Sequence, residues 1–275
     1  MLYQNIKGVP DFECEEYKPK KTKYCICIPI INEGERIKKE LERAKNERID
    51  EKADIIICDA GSTDGSTKKE VLEPLGVNTL LVKKGLGKQG AQLRMGIWWA
   101  LKRGYEGIIT IDGNNKDSIE NVPNFIKKLD EGYDFVQGSR FIKGGQAINT
   151  PLIRHISVRL IHAPIISLTA KKWYTDTTNA YRAYSKKYLE HPEVQPLRDI
   201  FMTYELLAYL SVKADRLHLK TCEIPVKREY PKKGKTPTKI SFFKGNSELL
   251  KILFKNLFHK YDVKSEGSKK WNMTR

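Results

Sequence analysis

The feature that most constrains the fold is an alternation of short apolar runs with amphipathic segments between residues 23 and 140. The apolar runs have the length of buried strands and read KYCICIPII, ADIIICD, VNTLLVK, GIITID and DFVQGSR. The segments between them include GERIKKELERAKN and QGAQLRMGIWWALKRG, which have helical periodicity. This alternation predicts an α/β fold with a mostly parallel sheet that helices cover on both faces.

Polar residues stand at the carboxyl ends of the predicted strands. Asn32, Asp59, Asp112 and Arg140 each come at or directly after such an end. Open sheets of this kind bind ligands beyond that edge. We therefore expect these four side chains to line the ligand site.

Two oxygen-bearing side chains, Asp112 and Asn114, are separated by one residue after the fourth strand. Hard oxygen ligands at this spacing can hold Mg²⁺ or Mn²⁺ that also bridges a diphosphate. The tripeptide also occurs in ordinary turns, so its position at a strand end is what favours a site. Asp59 opens the turn DAGSTDGS, whose backbone amides could contact a phosphate. We expect Ser62 and Asp64 in that turn to cap the next helix.

The charge balance predicts an anionic partner. The chain has 50 Lys and Arg against 34 Asp and Glu, a formal net charge of +16. Nucleotide phosphates, anionic or phosphorylated lipids and nucleic acid all fit this charge. A nucleic-acid-binding module is disfavoured, because the basic residues are scattered and the strand-end acids would repel a phosphate backbone.

The cysteines and the apolar runs bear on the cellular compartment. The five cysteines lack metal-ligand spacing, which favours reduced thiols in a cytosolic protein. We expect neither a signal peptide nor a membrane span, because no apolar run reaches about 18 residues.

Six sequence blocks occur in order between about Lys23 and Lys239. They read CICIPIINEGE, IIICDAGSTDGS, KKGLGKQGAQLRMGI, IITIDGNNKD, FVQGSRFIKGG and YTDTTNAYRAY. Together they resemble the family 2 glycosyltransferases of the GT-A fold, and within them the polyprenyl-phosphate, dolichyl-phosphate mannose synthase-like branch. The resemblance implies a Rossmann-like GT-A sheet, inverting transfer from a nucleotide diphosphate sugar, and Mg²⁺ or Mn²⁺ as a cofactor.

The resemblance implies a nucleotide-sugar site along the strand ends and a Gly-rich segment. Its residues are Pro29, Asn32, Glu33, Asp59, Gly85, Leu86, Gly87, Asp112, Gly113, Asn114 and Lys116. Asp112 and Asn114 match the family's metal-binding D-x-D motif, with Asn in place of the second acid. Lys116 stands where the branch usually has a glutamine that helps to hold the metal. Both changes remove negative charge, so we expect weak metal binding and a diphosphate that Lys116 partly neutralises.

The resemblance also implies an acceptor site. Its residues are Ser139, Arg140, Arg154, Asp176, Arg182, Glu205 and Lys235, and the catalytic group is Asp112, Arg140, Arg154 and Asp176. A lipid phosphate acceptor is already anionic and needs no base, so Arg140 and Arg154 would hold it. A sugar hydroxyl would need a base, for which Asp176 or Glu205 is the candidate. The sequence leaves both acceptors open.

Composition divides the chain into four parts. We predict an N-terminal extension (1–22), a catalytic domain (23–240), an amphipathic helix (241–262) and a disordered tail (263–275). The catalytic domain would comprise a nucleotide-sugar half (about 23–140) and an acceptor half (about 141–240). Leu249, Leu253 and Leu257 recur at helical spacing among lysines, so the helix either packs on the domain or lies on an anionic membrane, or does both.

The leading hypothesis is an inverting glycosyltransferase that uses a polyprenyl phosphate of the dolichyl or undecaprenyl type. We expect it to be cytoplasmic and peripheral on the cytosolic face of a membrane. The alternative acceptor is a hydroxyl of a lipid-linked glycan or surface polysaccharide. A sugar nucleotidyltransferase is disfavoured, because PIINEGERIKK lacks the Gly-rich, Arg-containing loop expected after the first strand.

Overall fold

The structure, a computed structural model, describes residues 1–232 and 242–263. Lys235 and residues 264–275 of the predicted tail lie outside the described residues. The described strands are β1 (Leu2–Tyr3), β2 (Phe12–Glu16), β3 (Tyr24–Ile30), β4 (Asp54–Asp59), β5 (Val77–Lys83), β6 (Gly107–Thr110), β7 (Phe135–Ser139), β8 (Gln146–Ile148), β9 (Arg182–Ser185), β10 (Thr221–Pro225) and β11 (Lys227–Glu229).

Nine of these strands form one sheet in the order β1-β2-β5-β4-β3-β6-β9-β7-β10. The central strands β5, β4, β3 and β6 are mutually parallel. Within the described sheet, β2 and β9 run against the other strands, since each pairs antiparallel with both of its neighbours. The predicted mostly parallel α/β sheet is thus confirmed. Strands β8 and β11 form a separate parallel pair.

The helices cover both faces of the sheet. They are α1 (Glu35–Asn46), α2 (Lys69–Leu72), α3 (Gln89–Lys102), α4 (Val122–Asp130), α5 (Leu152–Ser157), α6 (Ala163–Ala170), α7 (Lys186–Leu189), α8 (Glu205–Arg216) and α9 (Phe242–Leu257). A π-helical turn at Val158–His162 joins α5 to α6, and 3-10 turns lie at Ile49–Glu51 and Ile119–Asn121. Helices α1 and α4 share one apolar core with the sheet, and α3, α8 and α9 share the other.

The N-terminal 22 residues contribute two strands to the edge of the sheet, which the sequence did not predict. Strand β2 pairs with β5, and β1 pairs with β2. The buried Phe12 ring lies 4.9 Å from the Tyr3 ring and 5.9 Å from the Trp98 ring, measured between centroids. These aromatic contacts attach the segment to α3.

The predicted C-terminal helix is present as α9, and one of its faces packs on α8 and the core beneath it. Ile252 and Leu253 are buried, and the Asn256 side-chain amide donates to the Ala208 carbonyl at 2.8 Å. Phe254 and Phe258 are exposed. Across the described residues, no helix combines the length and the apolar character needed to cross a bilayer.

Helix α3 lies very close to the central strands because Gly96 faces them. A β-carbon at Gly96 would lie 2.6 Å from the Cys58 sulfur and 3.1 Å from the Cys27 sulfur. One turn earlier, Gln92 donates to the carbonyls of Ile30 and Cys58, both at 2.7 Å. This close packing fixes the amino end of α3 at the carboxyl edge of the sheet.

We expect Gly96→Ala to lower the free energy of unfolding. Overpacking costs about 1–3 kcal/mol, which exceeds the gain of up to ~1 kcal/mol from the helix propensity of alanine. Urea denaturation would measure the change. Cys58→Ala removes the closest clashing atom, so Gly96→Ala should be milder in that background than in the native chain. An equal loss in both backgrounds would contradict the contact.

Candidate active site

The loop after β6 carries the predicted D-x-N motif, and α1 holds it in place. The backbone N–H of Asn115, whose φ is 58°, donates to the Glu40 carboxyl at 2.7 Å. Burial raises the pKa of Glu40 well above its usual range. One turn later, Arg43 donates to the Asn115 side chain at 2.8 Å and pairs with Glu120. Two buried or half-buried residues of one helix face thus fix the loop that begins with Asp112.

Asp112 has three side-chain partners. Gln89, the first residue of α3, donates to one carboxylate oxygen at 3.0 Å, and Arg228 donates to the other at 3.1 Å. The Asn114 amide donates to the second oxygen at 3.4 Å. Burial favours the neutral acid, but the charges of Arg228 and Lys116 outweigh it and lower the pKa of Asp112. Asp112 is therefore an ionised carboxylate at the carboxyl edge of the sheet.

Arg228 connects this loop to β11. Its guanidinium, which is 5% exposed, pairs with both Asp112 and the fully buried Asp117. The backbone fixes the alignment, because the Glu229 N–H donates to the Lys116 carbonyl at 2.8 Å. A second backbone bond joins the same two segments, because the Ser118 N–H donates to the Lys227 carbonyl at 3.0 Å.

Tyr230 lies among the cations beside Asp112. The Lys116 amine is 5.0 Å from its ring centroid, and the guanidinium carbons of Arg228 and Arg154 are 5.7 and 5.8 Å away. Arg154 also donates to the Tyr230 hydroxyl at 3.1 Å. Burial and the charge of Arg228 lower the pKa of Lys116 to about 8. Burial raises the pKa of Tyr230, but the surrounding cations reverse this and lower it to about 8.

The predicted donor side forms a set of linked turns beyond β3 and β4. The Asn32 side chain accepts from the Thr63 N–H at 2.8 Å. Asp59 is buried and accepts from the backbone of Gly61 and Ser62, so it also stabilises its own turn. Asp64 accepts from the Gly34 N–H at 2.8 Å. The prediction that Ser62 or Asp64 caps a helix is wrong, because α2 begins with no side-chain cap.

The remaining predicted donor residues lie at the same edge of the sheet. Pro29 is the second-last residue of β3, and the Glu33 carboxylate pairs with Arg36 at 2.7 Å. In the Gly-rich segment, Leu86 is exposed between Gly85 and Gly87, whose φ values of 75° and 99° favour glycine. Gly113 packs against the side chains at the end of β3, where a β-carbon would lie 2.4 Å from the Ile30 side chain.

Arg140 and Asp176 pair with each other, a contact that the sequence did not predict. The Arg140 guanidinium makes two bonds to the Asp176 carboxylate, at 2.6 and 2.9 Å, and both side chains are nearly inaccessible. The Arg140 backbone N–H donates to the same carboxylate at 3.1 Å. Asp176 is therefore not placed to take a proton from an acceptor, and the charge of Arg140 is already matched. The pair instead positions the segment that follows β7.

Three other predicted acceptor residues have partners inside the fold. Arg182 is buried and donates to the carbonyls of Asn179, Thr177 and Leu207, and its acceptor-binding role stays a prediction. Ser139 is buried and contacts the Thr175 hydroxyl at 2.6 Å, and its acceptor role likewise stays a prediction. Glu205 accepts from the backbone and hydroxyl of Thr203 at the start of α8. Of the described acceptor candidates, Arg154 joins the Asp112 cluster through its contact with Tyr230.

Sequence reasoning missed Gln89, Asp117, Arg228 and Tyr230. The only available signal for the last two was the strand-like run IPVKREYP, in which alternate residues face one side. The position of that run beside the D-x-N loop depends on the pairing of β11 with β8, which local periodicity does not indicate.

The residues around Asp112 do not fit a tight divalent-metal site. Mg²⁺ and Mn²⁺ prefer several oxygen ligands, usually with more than one carboxylate. Here one carboxylate faces a neutral Asn114 and a cationic Lys116, and Arg228 already pairs with it. In residues 1–232 and 242–263, no group of three His, Cys, Asp or Glu side chains is arranged to hold a metal ion.

A mostly parallel α/β sheet with an acid-bearing loop and linked polar turns at its carboxyl edge is the architecture expected of a glycosyltransferase of the GT-A fold. The family model for glycosyl transferase family 2 matches residues 25–191, and the chain belongs to that family. The predicted family is thereby confirmed, and the protein is a glycosyltransferase.

Two relatives and one solved structure illustrate the similarity. An uncharacterized protein of Methanocaldococcus jannaschii is 28% identical over 243 residues, which cover 87% of this chain and 93% of that protein. The undecaprenyl-phosphate mannosyltransferase of Micrococcus luteus is 29% identical over 205 residues, covering 72% and 80%. Glucosyl-3-phosphoglycerate synthase of Mycobacterium tuberculosis, solved with Mn²⁺, uridine diphosphate and phosphoglyceric acid, has a TM-score of 0.60 at 16% identity, covering 89% and 80%. That structure supports the fold alone.

We expect Asp176→Asn to destabilise the protein. Removing one charge of a buried pair leaves the Arg140 guanidinium without its counter-ion, which costs about 3 kcal/mol of unfolding free energy. Urea denaturation would measure this loss. Glu51→Gln is the matched control, since Glu51 pairs with Arg48 on the surface and its loss should change stability little. Equal stability of Asp176→Asn and the native chain would contradict a structural role for the pair.

Proposed function

We propose that this glycosyltransferase moves a sugar from a nucleotide diphosphate sugar to a polyprenyl phosphate, with inversion at the anomeric carbon. The observation that carries the proposal is an exposed apolar surface on the helix that also supplies Arg154. The acceptor named for the relative of Micrococcus luteus is of the same class.

The surface, which we call the apolar face, lies on α5, the π-helical turn and α6. Its exposed side chains are Leu152, Ile153, Ile156, Leu160, Ile161 and Leu168. Leu152 and Leu160 are 73% and 72% exposed. Soluble surfaces rarely expose so many neighbouring large apolar residues, and such patches mark binding sites for proteins or membranes.

Exposed cations accompany the apolar face. Arg159, Lys171 and Lys172 lie on or directly after the same helices, and Trp173 follows them with its ring exposed. Apolar side chains flanked by basic ones suit the boundary between anionic headgroups and acyl chains. We therefore propose that this face contacts the cytosolic leaflet of an anionic membrane, in place of the predicted contact through residues 241–262 alone.

The apolar face is continuous with the cation cluster through Arg154. This residue is on α5 between the exposed Ile153 and Ile156, and its guanidinium reaches the Tyr230 hydroxyl at 3.1 Å. A phosphate bound at Arg154 could therefore have its polyprenyl chain directed along the apolar face. A charge-assisted bond from Arg154 would hold the acceptor phosphate close to the donor diphosphate, although both are anions.

The chemistry of a phosphate acceptor needs no base from the protein. An acceptor phosphate oxygen forms a bond to the anomeric carbon, while the bond from that carbon to the β-phosphate oxygen breaks. The electron pair of the broken bond stays on the nucleoside diphosphate, which gains one negative charge, and no proton is transferred. A hydroxyl acceptor would need a free carboxylate, and Asp176 and Glu205 already have partners. This comparison favours the phosphate over the hydroxyl alternative.

We expect transfer to polyprenyl phosphate and none to the dephosphorylated polyprenol. The assay would incubate the protein with labelled GDP-, UDP-, CDP- or dTDP-sugars and count lipid-soluble product. Arg154→Met should lower kcat/KM by about tenfold or more, the size of a lost hydrogen bond to a charged group. Arg48→Met, on an exposed turn, is the control and should retain activity. Transfer to polyprenol, or to a glycan hydroxyl alone, would overturn the proposal.

We expect the protein to bind vesicles that contain phosphatidylglycerol. Leu160→Glu with Leu168→Glu should weaken binding at least about tenfold, because each buried leucine contributes about 1.5–3 kcal/mol. Co-sedimentation would measure the bound fraction. Leu2→Glu removes an equally apolar exposed residue at the far edge of the sheet and should not change binding. Equal binding of all three proteins would show that the apolar face has another partner.

A further inference from the structure

We propose that Lys116, held beside the buried Arg228, supplies the positive charge at the donor diphosphate, and that the protein binds its donor without a divalent metal ion. The proposal rests on the nucleotide diphosphate sugar of the proposed function but not on the identity of the acceptor. It concerns the loop after β6 and strand β11, which meet at Asp112.

The first observation is that Arg228 contacts the carboxylate oxygen of Asp112 that would otherwise be open to a metal ion. The guanidinium is 3.1 Å from the second carboxylate oxygen of Asp112 and also pairs with Asp117. Both Arg228 and Asp117 are buried. To move Arg228 away would leave two carboxylates without a counter-ion, and breaking such a buried pair is strongly unfavourable. The contact is therefore a stable part of the site.

The second observation is the identity of the neighbouring side chains. A cation, Lys116, and a neutral amide, Asn114, follow Asp112 in the motif. The amide and the ammonium add no negative charge, while a dication beside Lys116 would be repelled by its ammonium. A phosphate group near Lys116 would be attracted by its ammonium.

The third observation is that the two cations are held in fixed positions. Tyr230 lies against both, with its ring centroid 5.0 Å from the Lys116 amine and 5.7 Å from the guanidinium carbon of Arg228. The N–H of Glu229 bonds to the Lys116 carbonyl at 2.8 Å and joins the two segments. Fixed cations stabilise developing charge without reorganising during the reaction. The charge that develops here is the one that the departing nucleoside diphosphate gains.

Lys116 also borders an open cavity of about 640 Å³. Its lining includes Asn114, Lys116 and Tyr230 on one side and Arg36 and Lys232 on others. A volume of this size is in the range that small-molecule sites occupy, about 300–1,000 Å³. The cavity gives an anionic ligand direct access to Lys116.

The test is calorimetric titration of GDP, UDP, CDP and dTDP in EDTA and in Mn²⁺, with no acceptor present. For the nucleotide that binds, we expect the native chain to give equal affinities in the two buffers within about twofold. Lys116→Gln should weaken binding in EDTA by about tenfold, the size of one lost charge-assisted contact. The double variant Asn114→Asp, Lys116→Gln adds a carboxylate and removes a cation, so its binding should require Mn²⁺.

Lys128→Gln is the control, because Lys128 is on α4 and pairs with the exposed Glu131. Its affinity should match that of the native chain, and circular dichroism would confirm that every variant is folded. Native binding that is lost in EDTA and restored by Mn²⁺ would overturn the proposal, as would the absence of binding by all four nucleotides in EDTA. Because no acceptor is present, failure of transfer to polyprenyl phosphate would contradict the proposed function and leave this result intact.

Discussion

The arrangement of the site depends on one buried interaction, the contact of Arg228 with Asp112 and Asp117. It joins a loop from the amino-terminal half of the sheet to a strand 110 residues further along the chain. Neither partner is stable alone, because an isolated buried charge has a large desolvation penalty. The loop and β11 must therefore assemble together. Tyr230 and Lys116 take their positions from that assembly, since both are attached to it through the backbone.

The strands at the centre of the sheet could be predicted from the sequence. Both faces of these strands are buried, so nearly every residue in them has to be apolar. Ile26 and Ile28 of β3 enter one core, while Cys25 and Cys27 enter the other, so the whole strand is apolar. Periodicity also located α9, since one side of it is buried. The strands β1 and β2 were not predicted, because short edge strands have only a weak apolar pattern in the sequence. Here an aromatic contact, that of Phe12 with Tyr3, holds them on the sheet.

The site was predictable at the strand ends and not beyond them. Asp112 follows an apolar run, and the parallel sheet itself determines where such a residue lies. The roles of arginines are different, because a guanidinium can bind a ligand, a carboxylate or backbone carbonyls equally well. Arg140 and Arg228 pair with carboxylates while Arg182 donates to backbone carbonyls, and only the tertiary structure distinguishes them. Sequence therefore predicts that cations are present and leaves open which anions they meet.

The π-helical turn between α5 and α6 allows one helix to serve the cation cluster and the apolar face together. The inward residues Arg154 and Val158 are four apart, whereas the next buried residue, Ala163, comes five positions later. A regular α-helix would have turned His162 inward at that point and rotated the following turns by about 100°. The extra residue of the π turn, Val158–His162, compensates for that rotation and keeps Ile166 and Ala170 in the core. The opposite side consequently stays exposed from Leu152 to Leu168, and the lipid contact that we propose needs an apolar face of that length.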